Sequence, residues 1–349
     1  MKVCFLYCNC KFYIKNKIIK QALEQNGHEV ICCSSSHNSG IVRNISKFVQ
    51  FLYKKKDSDI ILVGFVGHPL VRIVKFFTQK PVIFDAYMSM YNTLVENKKT
   101  VKKDSVKAKV LKFLDKQSVQ HADVTLLDTN EHINYFVNTF QVPKEKFKRL
   151  YIGALDSLFT PLPNIKKEDK FTVEFHGAFI PLQGVEVIIE AARILKEEDI
   201  QFKIAGDGQL FSNMKLRATG LTNITFLGSL QPDEIPLFIS RSHVGLGIFG
   251  DTPKTHRVIP NKAYEVLAMQ VPLITADTKA ARELLTDNHD VLFSKINDPQ
   301  SLAKSILTLK NNSSLRQKLA ENGYITFKKN ATPKVLGEQL SIIMKDLKK

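Results

Sequence analysis

A chain of 349 residues is too long for one small core, and two α/β domains of about 150 residues each are expected. Its hydrophobic content of 44% is ordinary for a soluble globular protein, and no run of ~18 apolar residues occurs, so no transmembrane helix is expected. The formal charge of +16 is uneven: residues 1–163 carry 25 Lys and Arg against 13 Asp and Glu, whereas residues 164–349 carry 25 against 21.

That asymmetry points to a polyanionic partner (an anionic membrane surface, a lipid phosphate or nucleic acid) or to a solvated lysine-rich face. Residues 98–116 are its densest part. Nucleic acid is the weaker reading, because no aromatic and arginine stacking pattern accompanies the charge. The opening Met1-Lys2-Val3-Cys4-Phe5-Leu6-Tyr7-Cys8 reads as a short apolar strand without the length or cleavage site of a signal peptide. A cytoplasmic protein, resting peripherally on the inner face of the membrane, is expected. The five cysteines fall within the first 33 residues, an odd number and no disulfide framework. Cys8, Cys10, Cys32 and Cys33 match no common zinc spacing, and buried thiols are the simpler reading.

In chain order, short apolar runs alternate with amphipathic stretches. The first half has runs at 3–7, 30–33, 60–63, 82–84, 124–127 and 149–152, with helical patterns at 15–26 and 41–55. The second half has runs at 171–175, 202–205, 224–227, 244–248, 271–275 and 291–293, with helical patterns at 185–196 and 261–269. Such alternation predicts parallel sheets with right-handed crossovers, hence an α/β protein of two doubly wound domains. The polar, Pro-bearing Leu162-Pro163-Asn164-Ile165-Lys166-Lys167 reads as the linker. The domains expected are 1–163 and 164–325. Residues 326–349 form a turn around Ala331-Thr332-Pro333 and a helix that packs on the second domain or crosses back to the first.

Asp57-Ser58-Asp59 precedes a strand, at the amino edge of its sheet, and reads as a solvated turn rather than a metal-binding acid pair. Asp85 ends the run 82–84 at the carboxyl edge, where a carboxylate orients an acceptor hydroxyl or caps the next helix. Tyr87, Tyr91, His68 and Asp128 hold similar strand-end positions. In the second half, three successive strands end in glycine: His176-Gly177 with Gly184 opening the next helix, Gly206-Asp207-Gly208, and Gly228. One such end is an ordinary tight turn; three in a row predict a surface shaped to a ligand. The spacing is not the dinucleotide fingerprint. Lys262 and Glu265, three residues apart on a predicted helix, share one face. A helix opening beside a buried parallel sheet receives phosphate at its N–H groups and lysine, while the glutamate accepts from ribose hydroxyls. Glu283 is expected near the start of the following helix.

Over residues 150–325 the chain resembles the glycosyltransferases of family 4, the retaining, nucleotide-sugar-dependent group with the GT-B fold. The resemblance rests on Gly177, Pro181 and Gly184, on Gly206-Asp207-Gly208, on Phe226-Leu227-Gly228, on Asp233-Glu234-Ile235-Pro236 with Ser242-His243-Val244, and on Lys262-Ala263-Tyr264-Glu265-Val266-Leu267-Ala268 with Val271-Pro272-Leu273-Ile274 and Glu283-Leu284. It implies two Rossmann-like domains facing each other across a cleft, the first binding acceptor and the second a nucleoside-diphosphate sugar. It implies transfer of a hexosyl or hexosaminyl unit to a glycan or lipid-linked acceptor with retention, and no metal or other cofactor. Glu265 matches the second acid of the family's paired-glutamate motif, and Lys262 the cation before it. The first acid would stand at Arg257, and the usual arginine and lysine of the Gly177–Gly184 loop are Ala178 and Gln183. His256, Arg257 and Lys262 are expected to restore that charge. Cys8-Asn9-Cys10-Lys11 stands where the family has an amino-terminal glycine loop. Two other readings share these features: a non-hydrolysing nucleotide-sugar epimerase, and a non-catalytic basic binding module.

Overall fold

The computed structural model describes residues 1–9 and 14–348. The chain forms two compact units, one of residues 1–153 with 332–349 and one of residues 154–331. The division falls at Gly153/Ala154, ahead of the Pro-bearing segment 162–167, and again at Ala331/Thr332.

The first unit runs β1 (Lys2–Cys8), α1 (Ile14–Gln25), β2 (Glu29–Ser35), α2 (Gly40–Lys54), β3 (Ile60–Val63), α3 (His68–Phe76), β4 (Val82–Asp85), α4 (Val106–His121), β5 (Val124–Leu127), α5 (Asn130–Phe140) and β6 (Phe147–Arg149). Its six strands are parallel in the order β2-β1-β3-β4-β5-β6. Strands buried on both faces need near-continuous apolar runs, which Ile60–Val63 and Val82–Phe84 supply. Side-chain caps set the starts of α4 and α5. Ser105 accepts from the Ala108 N–H and Thr129 from the His132 N–H. One strand lies earlier than its apolar run suggests. Leu150, Tyr151 and Ile152 are buried beyond the ladder: pairing with β5 occurs at Phe147–Arg149, after which the Leu150 N–H donates to the Leu127 carbonyl and the Tyr151 carbonyl accepts from Lys15. Burial there reflects packing of the chain as it leaves the sheet, not a ladder.

The second unit runs β7 (Phe171–His176), α6 (Val185–Ile194), β8 (Ile200–Ala205), α7 (Phe211–Arg217), β9 (Ile224–Gly228), α8 (Ile235–Arg241), β10 (Val244–Leu246), α9 (Asn261–Ala268), β11 (Leu273–Ala276), β12 (Leu292–Ser294), α10 (Pro299–Asn311) and α11 (Ser313–Asn330). Its strands are parallel in the order β12-β11-β10-β7-β8-β9. Chain order reverses beside β7: β8 lies on one side and β10 on the other. Ligands in open α/β sheets bind outside the carboxyl ends at such a switch point. Glu283, expected to open a helix, instead ends a single 3₁₀ turn, Ala281–Glu283.

The last helix, α12 (Pro333–Asp346), is capped by Thr332 with Pro333 at its first position and packs on α1. Gly337 makes the approach possible: a Cβ there would lie 2.1 Å from the Ala22 carbonyl oxygen. His28 Nε2 meets Ser341 Oγ at 2.7 Å, and Lys348 pairs with Asp59 at 3.0 Å. Asp59 also accepts from the Lys2 N–H, so the segment read as a solvated turn ties the end of the chain to the first strand. Among the cysteines, Cys4 and Cys33 have sulfurs 3.6 Å apart and Cys32 accepts weakly from the Tyr7 hydroxyl; Cys10 lies outside the described residues. No helix among the described residues is long and apolar enough to cross a membrane.

Candidate functional site

The switch point of the second unit gathers four ionisable side chains. Glu174 and His176 project from the same face of β7, two residues apart. Lys262 and Glu265 come from the first turns of α9. His176 lies between the two acids: Nδ1 is 2.9 Å from Glu174 Oε2, and Nε2 is 2.8 Å from Glu265 Oε2. Glu174 is fully buried and Glu265 is 12% exposed at its side chain. Gly245 of β10 stands opposite Glu174 in the register, and a Cβ there would press on the carboxylate at 2.9 Å.

Lys262 is buried under the loop that follows β7. Its Nζ donates to Gln183 Oε1 at 2.5 Å and sits 3.5 Å from the centre of the Phe175 ring. Gly177 is required above it, since a Cβ there would lie 2.6 Å from that Nζ. Burial acts on both cations first, disfavouring their charge. For His176 the two carboxylates outweigh burial and hold the imidazolium to about pH 9. For Lys262 they do not, and the ammonium titrates near 7. The cluster thus has one cation locked between acids and one poised to gain charge from an incoming anion.

The glycine-ended strands let their loops pack backbone to backbone. Gly206 has φ +134°, and a Cβ on it would fall 1.9 Å from the Gly177 carbonyl oxygen. A Cβ on Gly208 would lie 2.8 Å from Phe179 N, and the Phe179 N–H donates to the Asp207 carbonyl. The loop after β8 is therefore pressed backbone to backbone against the loop after β7, fixing that loop over Lys262. The Asp207 side chain accepts from its own neighbour Gly208 N–H and is exposed. Gly184 has φ +66°, with Gly250 N 2.3 Å from where its Cβ would stand. Gly206→Ala should cost about 2–5 kcal/mol from overpacking and left-handed backbone strain together, read as a lower urea midpoint at unchanged slope.

His256 and Arg257 occupy a 3₁₀ turn, Thr255–Arg257. His256 pairs with Asp251 at 3.2 Å and Arg257 Nε donates to the Pro253 carbonyl at 2.7 Å, both bonds running within one loop. In the first unit, Asp85 ends β4 and is 1% exposed. Its Oδ2 has no hydrogen-bond partner among the described residues. Burial raises its pKa, Lys15 opposes that rise and Asp128 adds to it. Lys15 donates to the Tyr151 carbonyl at 2.7 Å, and Asp128 holds His132 at 2.7 Å. Asp85 caps no helix: the next helical segment is the π-helical turn Asn92–Asn97, whose N-cap is Tyr91, and α4 is capped by Ser105.

Glu174 and His176 are not singled out as site residues by sequence reasoning, and Gln183 is noted there only for the charge it lacks, not as a partner of Lys262. The signal was present in Phe171-Thr172-Val173-Glu174-Phe175-His176: an acid within an interior parallel strand is not buried without a partner.

Residues 161–326 match the family described as Glycosyl transferases group 1. An uncharacterised glycosyltransferase of Methanocaldococcus jannaschii is 32% identical over 151 residues, 43% of this chain and 41% of that protein. The alpha-D-kanosaminyltransferase of Streptomyces kanamyceticus is 24% identical over 253 residues, 68% of this chain and 64% of that protein. The match thus spans about two fifths of the first relative and under two thirds of the second. Among solved structures, Anabaena HepE in complex with UDP and glucose has a TM-score of 0.75 at 14% identity, covering 99% of this chain and 100% of that one. That likeness is one of fold.

Proposed function

We propose that this chain, of which residues 161–326 match the family described as Glycosyl transferases group 1, is a retaining glycosyltransferase of the family 4 type. In this reading it moves a hexosyl or hexosaminyl unit from a nucleoside-diphosphate sugar to a glycan or lipid-linked acceptor. The fold is GT-B, with two Rossmann-like units. The observation that carries the proposal is the Lys262, Glu265, His176 and Glu174 cluster at the carboxyl end of β7, where strand order reverses.

Lys262 and the positive end of α9 receive the diphosphate. Charge grows on that group as the glycosidic bond breaks, so a fixed cation there lowers the barrier more than it tightens ground-state binding. Glu265, held in one orientation by His176, accepts from the ribose hydroxyls. Gly177, Gly184, Gly206, Asp207 and Gly208 shape the loops around the donor. His256 and Arg257 supply the cationic charge that Ala178 and Gln183 lack. Asp85 orients the acceptor hydroxyl. No metal or other cofactor is assigned a role.

A diphosphate beside Lys262 favours its charged form, so the pKa near 7 rises on binding. Binding at pH 8 should therefore take up a proton, and affinity should fall as pH rises above about 7. Calorimetry in buffers of different ionisation enthalpy reads this directly; a buffer-independent enthalpy at pH 8 contradicts it. Activity is tested with labelled nucleotide sugars and a membrane extract as acceptor source. Label transferred from one donor supports the reading, and no transfer from any common donor opposes it. Unchanged donor affinity in both Arg257→Ala and Lys262→Ala removes the assigned cationic roles.

A further inference from the structure

Glu265 does not present its whole carboxylate to a ligand. Its Oε2 lies 2.8 Å from His176 Nε2, and the side chain is 12% exposed. His176 is fixed in turn, because its Nδ1 lies 2.9 Å from Glu174 Oε2. Glu174 is fully buried in β7, beside Gly245 of the neighbouring strand. The fit is close: a Cβ on Gly245 would lie 2.9 Å from Glu174 Oε1. That Oε1 is buried and has no hydrogen-bond partner among the described residues, so the bond to His176 orients the acid.

Both acids accept, so the ring donates from both nitrogens. Burial disfavours that charge, but the two carboxylates keep the imidazolium to about pH 9. Lys262, one turn before Glu265, does not compete for it; its Nζ donates to Gln183 Oε1. The chain of Glu174, His176 and Glu265 thus runs from the interior of the sheet to the edge of the site, and only its last member reaches solvent.

A vicinal diol such as that of ribose is gripped best when each hydroxyl donates to a different oxygen of one carboxylate. Glu265 has one oxygen, Oε1, outside the His176 bond. We infer that His176, backed by Glu174, determines specificity at the nucleotide: it commits Oε2 of Glu265 to the protein, so the ribose of the donor is read at one hydroxyl and a nucleoside diphosphate lacking the other is accepted nearly as well. The inference rests on the donor reading above and narrows its ribose contact. A site built to accept from a hydroxyl rejects the analogue that lacks it, because a desolvated acceptor is left unpaired. A hydroxyl that meets no acceptor is removed at little cost. Discrimination between ribose and deoxyribose is therefore one-sided.

The test is calorimetry on the full chain with the ribo, 2′-deoxy and 3′-deoxy diphosphates of the uracil, thymine, guanine and adenine nucleosides. With the base that binds, loss of one hydroxyl is expected to weaken binding about tenfold or more, and loss of the other by less than about threefold. Glu174→Gln/His176→Phe frees Oε2. The hydroxyl that the wild type ignores then finds an acceptor, and its removal should cost about fivefold or more. Glu174→Gln alone keeps the imidazole beside Glu265 and should keep the one-sided pattern. Wild-type losses of similar size for both hydroxyls, large or small, overturn the inference and leave the donor reading standing. So does a one-sided pattern unchanged in the folded double variant. If that variant does not fold, the wild-type comparison decides alone. No binding by any of these diphosphates removes the donor reading itself, and this inference with it.

Discussion

Lys262→Met is expected to lower kcat/KM for sugar transfer by about 10²–10³-fold, the usual cost of removing one group aimed at developing charge. The loss should fall mainly on kcat, because the ammonium matters most once the diphosphate is leaving. Methionine keeps the stem on Phe175, so a folding defect is not expected: the residue it replaces is already held against its charge by burial. Lys262→Arg should not rescue. The Phe175 ring 3.5 Å below and Gly177 above leave no room for a guanidinium. A Lys262→Met variant that keeps kcat within threefold contradicts the assigned role.

His176→Phe should destabilise the protein by about 3–5 kcal/mol, since it leaves Glu174 buried without a partner. Adding Glu174→Gln should recover much of that loss, because the orphaned charge is removed along with its counter-ion. Urea unfolding of the two single variants and the double variant measures the coupling; additive losses contradict the ion-paired geometry. The pH dependence has a definite sign. The folded-state pKa of about 9 lies above the ordinary histidine value, so this contribution is complete below about 6.5 and is lost as pH rises through 9. Lys262 works the other way. Its folded pKa near 7 lies below the ordinary lysine value, so its burial penalty is full below 7 and is relieved as pH rises towards 10.5. Wild-type stability above pH 7 is therefore the difference of two opposed trends. His176→Phe should remove the opposing trend and leave that of Lys262, reinforced by Lys47 and Lys167, whose burial holds them down to about 8: a stability that climbs from pH 7 to 9.

Much of the fold is readable from local pattern. Runs such as Ile60–Val63 and Val124–Leu127 coincide with strands, because interior parallel strands tolerate little else. The run at 149–152 misleads because apolar content reports burial, and burial does not require a partner strand. Lys262 and Glu265 are legible through helical spacing alone. Their partners are not, because Glu174, His176 and Gln183 reach them from elements over 75 positions away in sequence. Gly206 and Gly208 illustrate a further limit. Glycine at a strand end signals close backbone approach, but whether to a ligand or to another loop depends on the neighbour, and here Gly177 and Phe179 are the neighbours.

The proposed activity requires a nucleoside diphosphate sugar held by the second unit through Lys262 and Glu265. Isothermal titration of the full chain with UDP, GDP, ADP and dTDP, and with their common sugar conjugates, tests this most directly. One nucleotide should bind in the micromolar range and lose at least about tenfold in affinity in Glu265→Ala, the cost of one charge-assisted hydrogen bond. No heat from any of them at millimolar concentration would contradict it.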